Sequence, residues 1–189
     1  MPAGKSSMKS DKALLEKTLA NAQRLMRDAK VLASADAAIS AVILAIFALE
    51  ELGKTLILRW GVRNEGNNRS HPSHIEKQGA VFALLSANEL LKKGKKKLRK
   101  MVEGEGNFLT AGPYSHQFAW ARSGFYNDLR MAATYADEDP KIPDELRARI
   151  GPELAAELIE FYRKGYLAMR NANAMKLAAE IYKNDLGRL

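Results

Sequence analysis

The chain has 189 residues, the usual size of one domain, and 47% of them are apolar and 28% charged, which excludes a disordered or collagen-like protein. Its 30 Lys and Arg exceed its 22 Asp and Glu, so the net charge of +8 favours a polyanionic partner, either nucleic acid or an acidic protein. The absence of cysteine excludes disulfides, thiolate zinc sites and a cysteine nucleophile, and we expect a cytoplasmic protein.

The first two helices are indicated by apolar residues at spacings of three and four. We predict a disordered tail over residues 1–10 and a single domain over residues 11–189. The first helix is predicted to start at Asp11 as N-cap and to end near Ala33, and the second to follow Asp36 as N-cap and end near Trp60. The second contains an uncharged run of 13 residues, whereas a bilayer span needs about 20, so we predict a central core helix and no membrane anchor.

The rest of the chain is also predicted to be helical. Residues 61–73 are rich in Gly, Asn and Ser and read as a loop. A third helix is predicted after this loop, with Pro72 in its first turn, and runs toward Lys100. A fourth helix is predicted over residues 115–135, a short one over residues 144–150 and a long last one over residues 152–185. No strand pattern and no internal repeat is visible, so we predict an all-α, up-down bundle of four or five long helices.

Three segments place polar side chains on faces that the apolar pattern turns inward. They are Glu50-Glu51-Leu-Gly-Lys54, His74-Ile-Glu-Lys77 and Arg122-Ser-Gly-Phe-Tyr126-Asn-Asp128. Because a buried charge needs a partner, we expect Arg122 to neutralise Glu51 across the bundle. The remaining cations and the Tyr126 hydroxyl would then suit a phosphate. The competing interpretation is a structural ion pair of Glu51 with Lys54 and a capping histidine at position 74.

An early helix with the pattern Asn21-Ala22-x-x-Leu25-x-x-Asp28-Ala29 precedes these three segments. The order of the four segments resembles that of the AbiV abortive-infection family, a branch of the HEPN superfamily. The resemblance covers residues 11–135. It implies an anti-phage protein on a HEPN-like helical bundle, commonly a homodimer, that shuts down translation or RNA metabolism.

Active HEPN proteins resemble metal-independent ribonucleases built on an Arg and a His with four to six residues between them. In such a site the His moves protons at the 2′-hydroxyl and the Arg stabilises the charged transition state. Arg69 and His74 fit this spacing, but they come before the third helix, whereas the motif usually lies late in the chain. Near the end, Arg170-Asn171 resembles the start of the motif, but Met175 and Lys176 stand where a His would be needed.

The sequence therefore predicts the catalytic set Glu51, Lys54, His74, Lys77, Arg122 and Tyr126, with His74 as acid or base and Lys77 or Arg122 on the phosphate. We predict no cofactor and no metal, because paired Glu-x-x-His motifs are missing. Seven of the nine residues from Lys92 to Lys100 are basic, which is enough to attract RNA but also typical of a solvated helix end.

Two functions remain open from the sequence. The first is an anti-phage effector that acts on cellular RNA at a dimer interface. A phage protein would activate it, because a constitutive nuclease would kill its host. The second is a non-catalytic protein that docks an acidic phage or ribosomal partner on its basic surface, with the polar cluster as a structural network.

Overall fold

The computed structural model describes residues 4–61, 72–94, 114–135 and 144–185, with side chains from residue 12 to residue 184. In these residues the chain forms helices and no strand, which confirms the all-α bundle. The helices are α1 Gly4–Ser34, α2 Ala38–Trp60, α3 His74–Lys92, α4 Ser115–Ser123, α5 Phe125–Thr134, α6 Asp144–Arg147, α7 Pro152–Ala168 and α8 Ala172–Asp185.

Helix α2 lies at the centre of the bundle, as predicted. It packs along most of α1 and also contacts α3, α5 and α7. Ile46, Leu52 and Leu56 are almost fully buried in the core, because α2 is apolar on nearly every side over its first three turns. Its C-terminus is closed by Gly61, which adopts a left-handed φ of 62°. No helix among the described residues combines the length and the apolar character that a bilayer span requires.

The predicted N-terminal boundaries of the first two helices were wrong. Helix α1 begins at Gly4, so Asp11 lies inside it, and residues 4–10 of the predicted tail continue the helix. Asp36 is not an N-cap either: it lies in the turn before α2 with a left-handed φ of 60°, and Ala37 takes the cap position without a side-chain hydrogen bond. Aspartate tolerates this conformation better than most residues, which explains how it serves a turn instead of a cap.

Helix α3 begins two residues later than Pro72 suggested. Ser73 is its N-cap, and its hydroxyl accepts a hydrogen bond from the backbone N–H of Glu76. The Glu76 carboxylate in turn accepts from the backbone N–H of Ser73 at 2.6 Å, which completes a capping box. This reciprocal cap fixes the first turn of α3, which carries His74.

Two helices predicted as continuous are each divided in the structure. The fourth is interrupted at Gly124, whose φ of 84° separates α4 from α5. The last is interrupted at residues 169–171, where the Asn171 side-chain oxygen accepts from the backbone N–H groups of Asn173 and Ala174 and so starts α8 as a new helix. At both positions one residue ends the helix although the apolar periodicity continues: Gly124 by its left-handed backbone, and Asn171 by capping the next helix.

Candidate functional site

A buried carboxylate lies at the interface of α2 and α3. Only 5% of the Glu50 side chain is exposed to solvent. Its Oε2 lies 2.7 Å from Nδ1 of His74, and its Oε1 accepts from the Gln78 amide at 2.9 Å. Both oxygens therefore have partners, as a buried carboxylate requires.

The His74 ring joins this buried carboxylate to the surface. His74 is the first residue of α3, and 44% of its side chain is exposed. Because a carboxylate oxygen can only accept, Nδ1 donates the proton of this hydrogen bond. The Nε2 lone pair is then left for a group outside the pair, and the ring orientation is fixed by Glu50. This is the arrangement in which an imidazole serves as a positioned acid or base.

The helix crossing that supports the pair depends on a glycine. A Cβ atom placed on Gly53 of α2 would lie 1.8 Å from the backbone carbonyl oxygen of Lys77 on α3. Only glycine permits the two backbones to approach this closely. Glu50 and His74 each precede this close approach by three residues, on α2 and α3 respectively.

Two lysines flank the pair on the same two helices. Lys54 follows Glu50 by one turn of α2, and Lys77 follows His74 by three residues of α3, so each lies on the same face as the member that precedes it. Both are half-buried, and neither makes a hydrogen bond or ion pair with a described residue through its ammonium group. The two helices that carry the Glu50–His74 bond therefore also carry two ammonium groups that have no described partner.

Three other members of the predicted set do not join this pair. The Glu51 carboxylate, next to Glu50, makes no hydrogen bond or ion pair with a described side chain. Arg122 is exposed in the last turn of α4, and the expected Arg122–Glu51 ion pair does not form. Tyr126 is buried with its ring stacked on Phe82. Phe82 follows His74 by eight residues of α3, which corresponds to about 12 Å of helix rise.

The Tyr126 hydroxyl is buried and finds no hydrogen-bond partner among the described residues. Burial, and to a lesser degree the nearby carboxylate of Glu157, holds the pKa of this phenol well above its usual value of 10.0. The hydroxyl is therefore neutral over the physiological range and enclosed within the bundle. The catalytic roles given to Tyr126, Glu51 and Arg122 stay predictions.

The sequence interpretation missed two members of the network, Glu50 and Gln78. Glu50 directly follows the apolar run and continues its buried face, so burial at this position was the available signal, but the charge was assigned to Glu51. Gln78 is four residues after His74 and shares its face of α3. An imidazole and an amide on one buried face would have indicated a shared acceptor opposite them.

Other predicted features lie wholly or partly outside the described residues. Arg69 belongs to residues 62–71, and most of the basic run belongs to residues 95–113. Of that run, Lys92 and Lys93 are described and exposed, and Lys92 pairs with Glu89 at 2.6 Å. Within the part of the chain that the structure describes, no three His, Asp or Glu side chains lie close enough together to hold a metal ion.

The fold and site together define a HEPN-like all-α bundle in which an imidazole–carboxylate pair lies where two central helices cross. The family model HEPN_AbiV, described as AbiV, matches residues 12–166. The chain therefore belongs to the AbiV family of the HEPN superfamily, a family of abortive-infection proteins. No curated protein and no solved structure matches the chain.

Proposed function

We propose that the protein is an anti-phage abortive-infection effector that cleaves cellular RNA, with His74 as the acid–base group. The observation that carries this proposal is the 2.7 Å contact between His74 Nδ1 and the buried Glu50 carboxylate, with 44% of the histidine side chain still exposed. A histidine that only capped a helix would not need a buried carboxylate on another helix to orient it.

The chemistry that fits this pair is attack of an RNA 2′-hydroxyl on the adjacent phosphorus. Nε2 of His74 takes the hydroxyl proton, the new O2′–P bond forms, and the bond to the 5′ oxygen breaks as that oxygen takes a proton from Lys77 or water. Glu50 stabilises the imidazolium that results, and the ammonium groups of Lys54 and Lys77 stabilise the charge on the phosphate oxygens. The products are a 2′,3′-cyclic phosphate and a 5′-hydroxyl, and the step uses no metal ion.

We also propose that a phage component activates the protein and that it works as a homodimer in the cytoplasm. Family membership supports an abortive-infection role, and a nuclease that was always active would destroy the host's own RNA. An activator present only during infection removes this conflict.

The test is infection of cells that express the wild type, His74→Ala or His116→Ala. His116 is an exposed histidine on α4 and serves as the matched control. We expect the wild type and His116→Ala to reduce phage yield and to fragment tRNA or ribosomal RNA after infection, and His74→Ala to do neither while accumulating to the same level. Protection by His74→Ala equal to that of the wild type would refute the catalytic role.

The alternative is a binding protein in which the Glu50 network is only structural, and the complete satisfaction of both Glu50 oxygens by His74 and Gln78 favours it. Here the loss of protection should follow the loss of stability. Urea unfolding of His74→Ala separates the two: a fold destabilised by several kcal/mol supports a structural network, whereas a fold of wild-type stability that no longer protects supports catalysis.

A further inference from the structure

A second polar feature lies at the C-terminal end of α2. An open groove of about 620 Å³ lies between the C-terminus of α2, the turn that joins α7 to α8, and α8 itself. Its apolar lining includes the side chains of Trp60, Met169 and Met175. Its charged lining consists of four cations, Arg59, Arg170, Lys176 and Lys183, and one carboxylate, Glu180.

The four cations of this groove make no ion pair with a described residue. Glu180 follows Lys176 by four residues and precedes Lys183 by three, which are the spacings of helical ion pairs, yet it pairs with neither. Elsewhere on the surface, Arg24 pairs with Asp28 at 3.0 Å and Arg163 with Glu160 at 2.6 Å. Four cations from three elements, against the single carboxylate of Glu180, therefore create a local positive potential on one concave surface.

The positive surface continues beyond the groove. The Arg170 guanidinium lies 5.9 Å from the centre of the Tyr166 ring. Tyr166 in turn lines a smaller cavity of about 300 Å³ between α1 and α7, together with Arg27 and Lys30. Arg170 thus connects the groove to a strip with two further cations, both exposed and without an ion pair to any described residue.

Helix α8, which forms one wall of the groove, contacts the helix that carries His74. The Trp60 ring lies 5.5 Å from the ring of Tyr182 on α8. Burial, followed by the carboxylate of Glu76, raises the pKa of the Tyr182 phenol. Helix α8, which carries Tyr182, packs against α3, whose first residue is His74. The groove and the proposed acid–base group therefore lie on two helices, α8 and α3, that are in contact.

We propose that this groove and the adjoining strip bind the phosphate backbone of RNA. The inference rests on the proposed function, because the bound RNA would be the substrate of that function. Its test is independent, because RNA binding is measured without cleavage. Phosphate contacts position a nucleic acid without reading its sequence, so binding is expected to be salt-sensitive and independent of base composition. An acidic protein is the less suitable ligand, because none of the exposed large apolar side chains among the described residues lines the groove.

The experiment measures RNA binding directly, by fluorescence anisotropy of a labelled RNA oligonucleotide of mixed sequence. All proteins carry His74→Ala so that the RNA stays intact. The groove variant is Lys176→Gln/Lys183→Gln. The control, Arg24→Gln/Arg149→Gln, removes the same charge at exposed positions outside the groove.

The groove variant is expected to bind about 25-fold more weakly at about 50 mM salt, or about fivefold for each lost phosphate contact. Its plot of log affinity against log salt should be shallower by about 1.4. The control should stay within about threefold of its parent. Equal weakening of both variants, or weakening of neither, would overturn the assignment of the groove.

A competition arm tests the chemical class of the ligand. Poly-glutamate of matched charge should displace the RNA far less well than unlabelled RNA does, and equal displacement would identify an acidic-protein surface and overturn the proposal. Failure of the catalytic proposal is distinguishable, because these measurements require no cleavage. If the groove variant loses RNA binding while His74→Ala still protects cells, the assignment of the RNA groove is supported and catalysis by His74 is refuted.

Discussion

Replacement of Gly53 by alanine tests whether the α2–α3 crossing holds the Glu50–His74 pair. Alanine is the better helix former by about 1 kcal/mol, so propensity alone predicts a more stable protein. The added Cβ atom, however, would lie 1.8 Å from the carbonyl oxygen and 2.5 Å from the carbonyl carbon of Lys77. Both are backbone atoms of a helix and cannot turn aside as the end of a side chain can.

Relief of this overlap requires the two helices to separate by more than 1 Å, since real Cβ contacts are almost never shorter than 3.0 Å. Overpacking of this kind costs up to about 3 kcal/mol, and the propensity gain offsets about 1 kcal/mol of it. We therefore expect the free energy of unfolding to fall by about 2 kcal/mol and Tm by about 4–8 °C. The same separation would stretch the 2.7 Å bond between Glu50 and His74 and abolish protection against phage.

The matched control is Gly165→Ala on α7. Its added Cβ atom would meet the ends of two side chains, Leu52 at 3.2 Å and Val81 at 3.4 Å, and these can shift. Its stability should stay within about 1 kcal/mol of the wild type. Thermal and urea unfolding of both variants measure the difference, and a Gly53→Ala protein as stable and as protective as the wild type would refute the reasoning.

Three further predictions follow from single groups. Glu50→Ala leaves the buried Gln78 amide without its acceptor, so urea unfolding should show a loss of about 2–3 kcal/mol, and a loss below about 0.5 kcal/mol would contradict the network. Tyr126→Phe removes a buried hydroxyl that lacks a described partner, so stability should stay constant or rise by up to about 1 kcal/mol with protection retained, whereas lost protection in an intact fold would place Tyr126 in the site. A hydrogen bond from Arg163 lowers the pKa of Glu160 from 4.5 to about 2, so the stability that this carboxylate contributes is present above pH 4.5 and is lost as pH falls toward 2. The difference in unfolding free energy between wild type and Glu160→Gln, measured by urea unfolding, should therefore close over that pH range. A difference that stays constant would refute the pairing.

The sequence was sufficient for the fold class and for the position of the central helix. Apolar spacing located α2 and α3, because burial of one face requires that spacing wherever the helix packs. It could not locate the interruptions at Gly124 and Asn171, because these depend on a single left-handed residue and on one side-chain cap. Both residues sit within stretches whose apolar periodicity continues across the break.

Part of the side-chain arrangement around His74 could be predicted from the sequence. His74, Lys54 and Lys77 were identified from charges on apolar faces, and the structure places them around one helix crossing. The choice between Glu50 and Glu51 could not be made from sequence, because the two differ by 100° of helix rotation and only the approach of α3 decides which is buried. Arg122 was included because its spacing suited an inward face, but α4 is short and exposes it to solvent.

The hydrogen-bonding state of His74 tests the central claim most directly. Two-dimensional ¹H–¹⁵N correlation spectra of protein labelled in its three histidines report which ring nitrogen carries a proton. We predict that His74 keeps a proton on Nδ1 and donates it to Glu50. A neutral His74 with its proton on Nε2 and a bare Nδ1 would contradict the account.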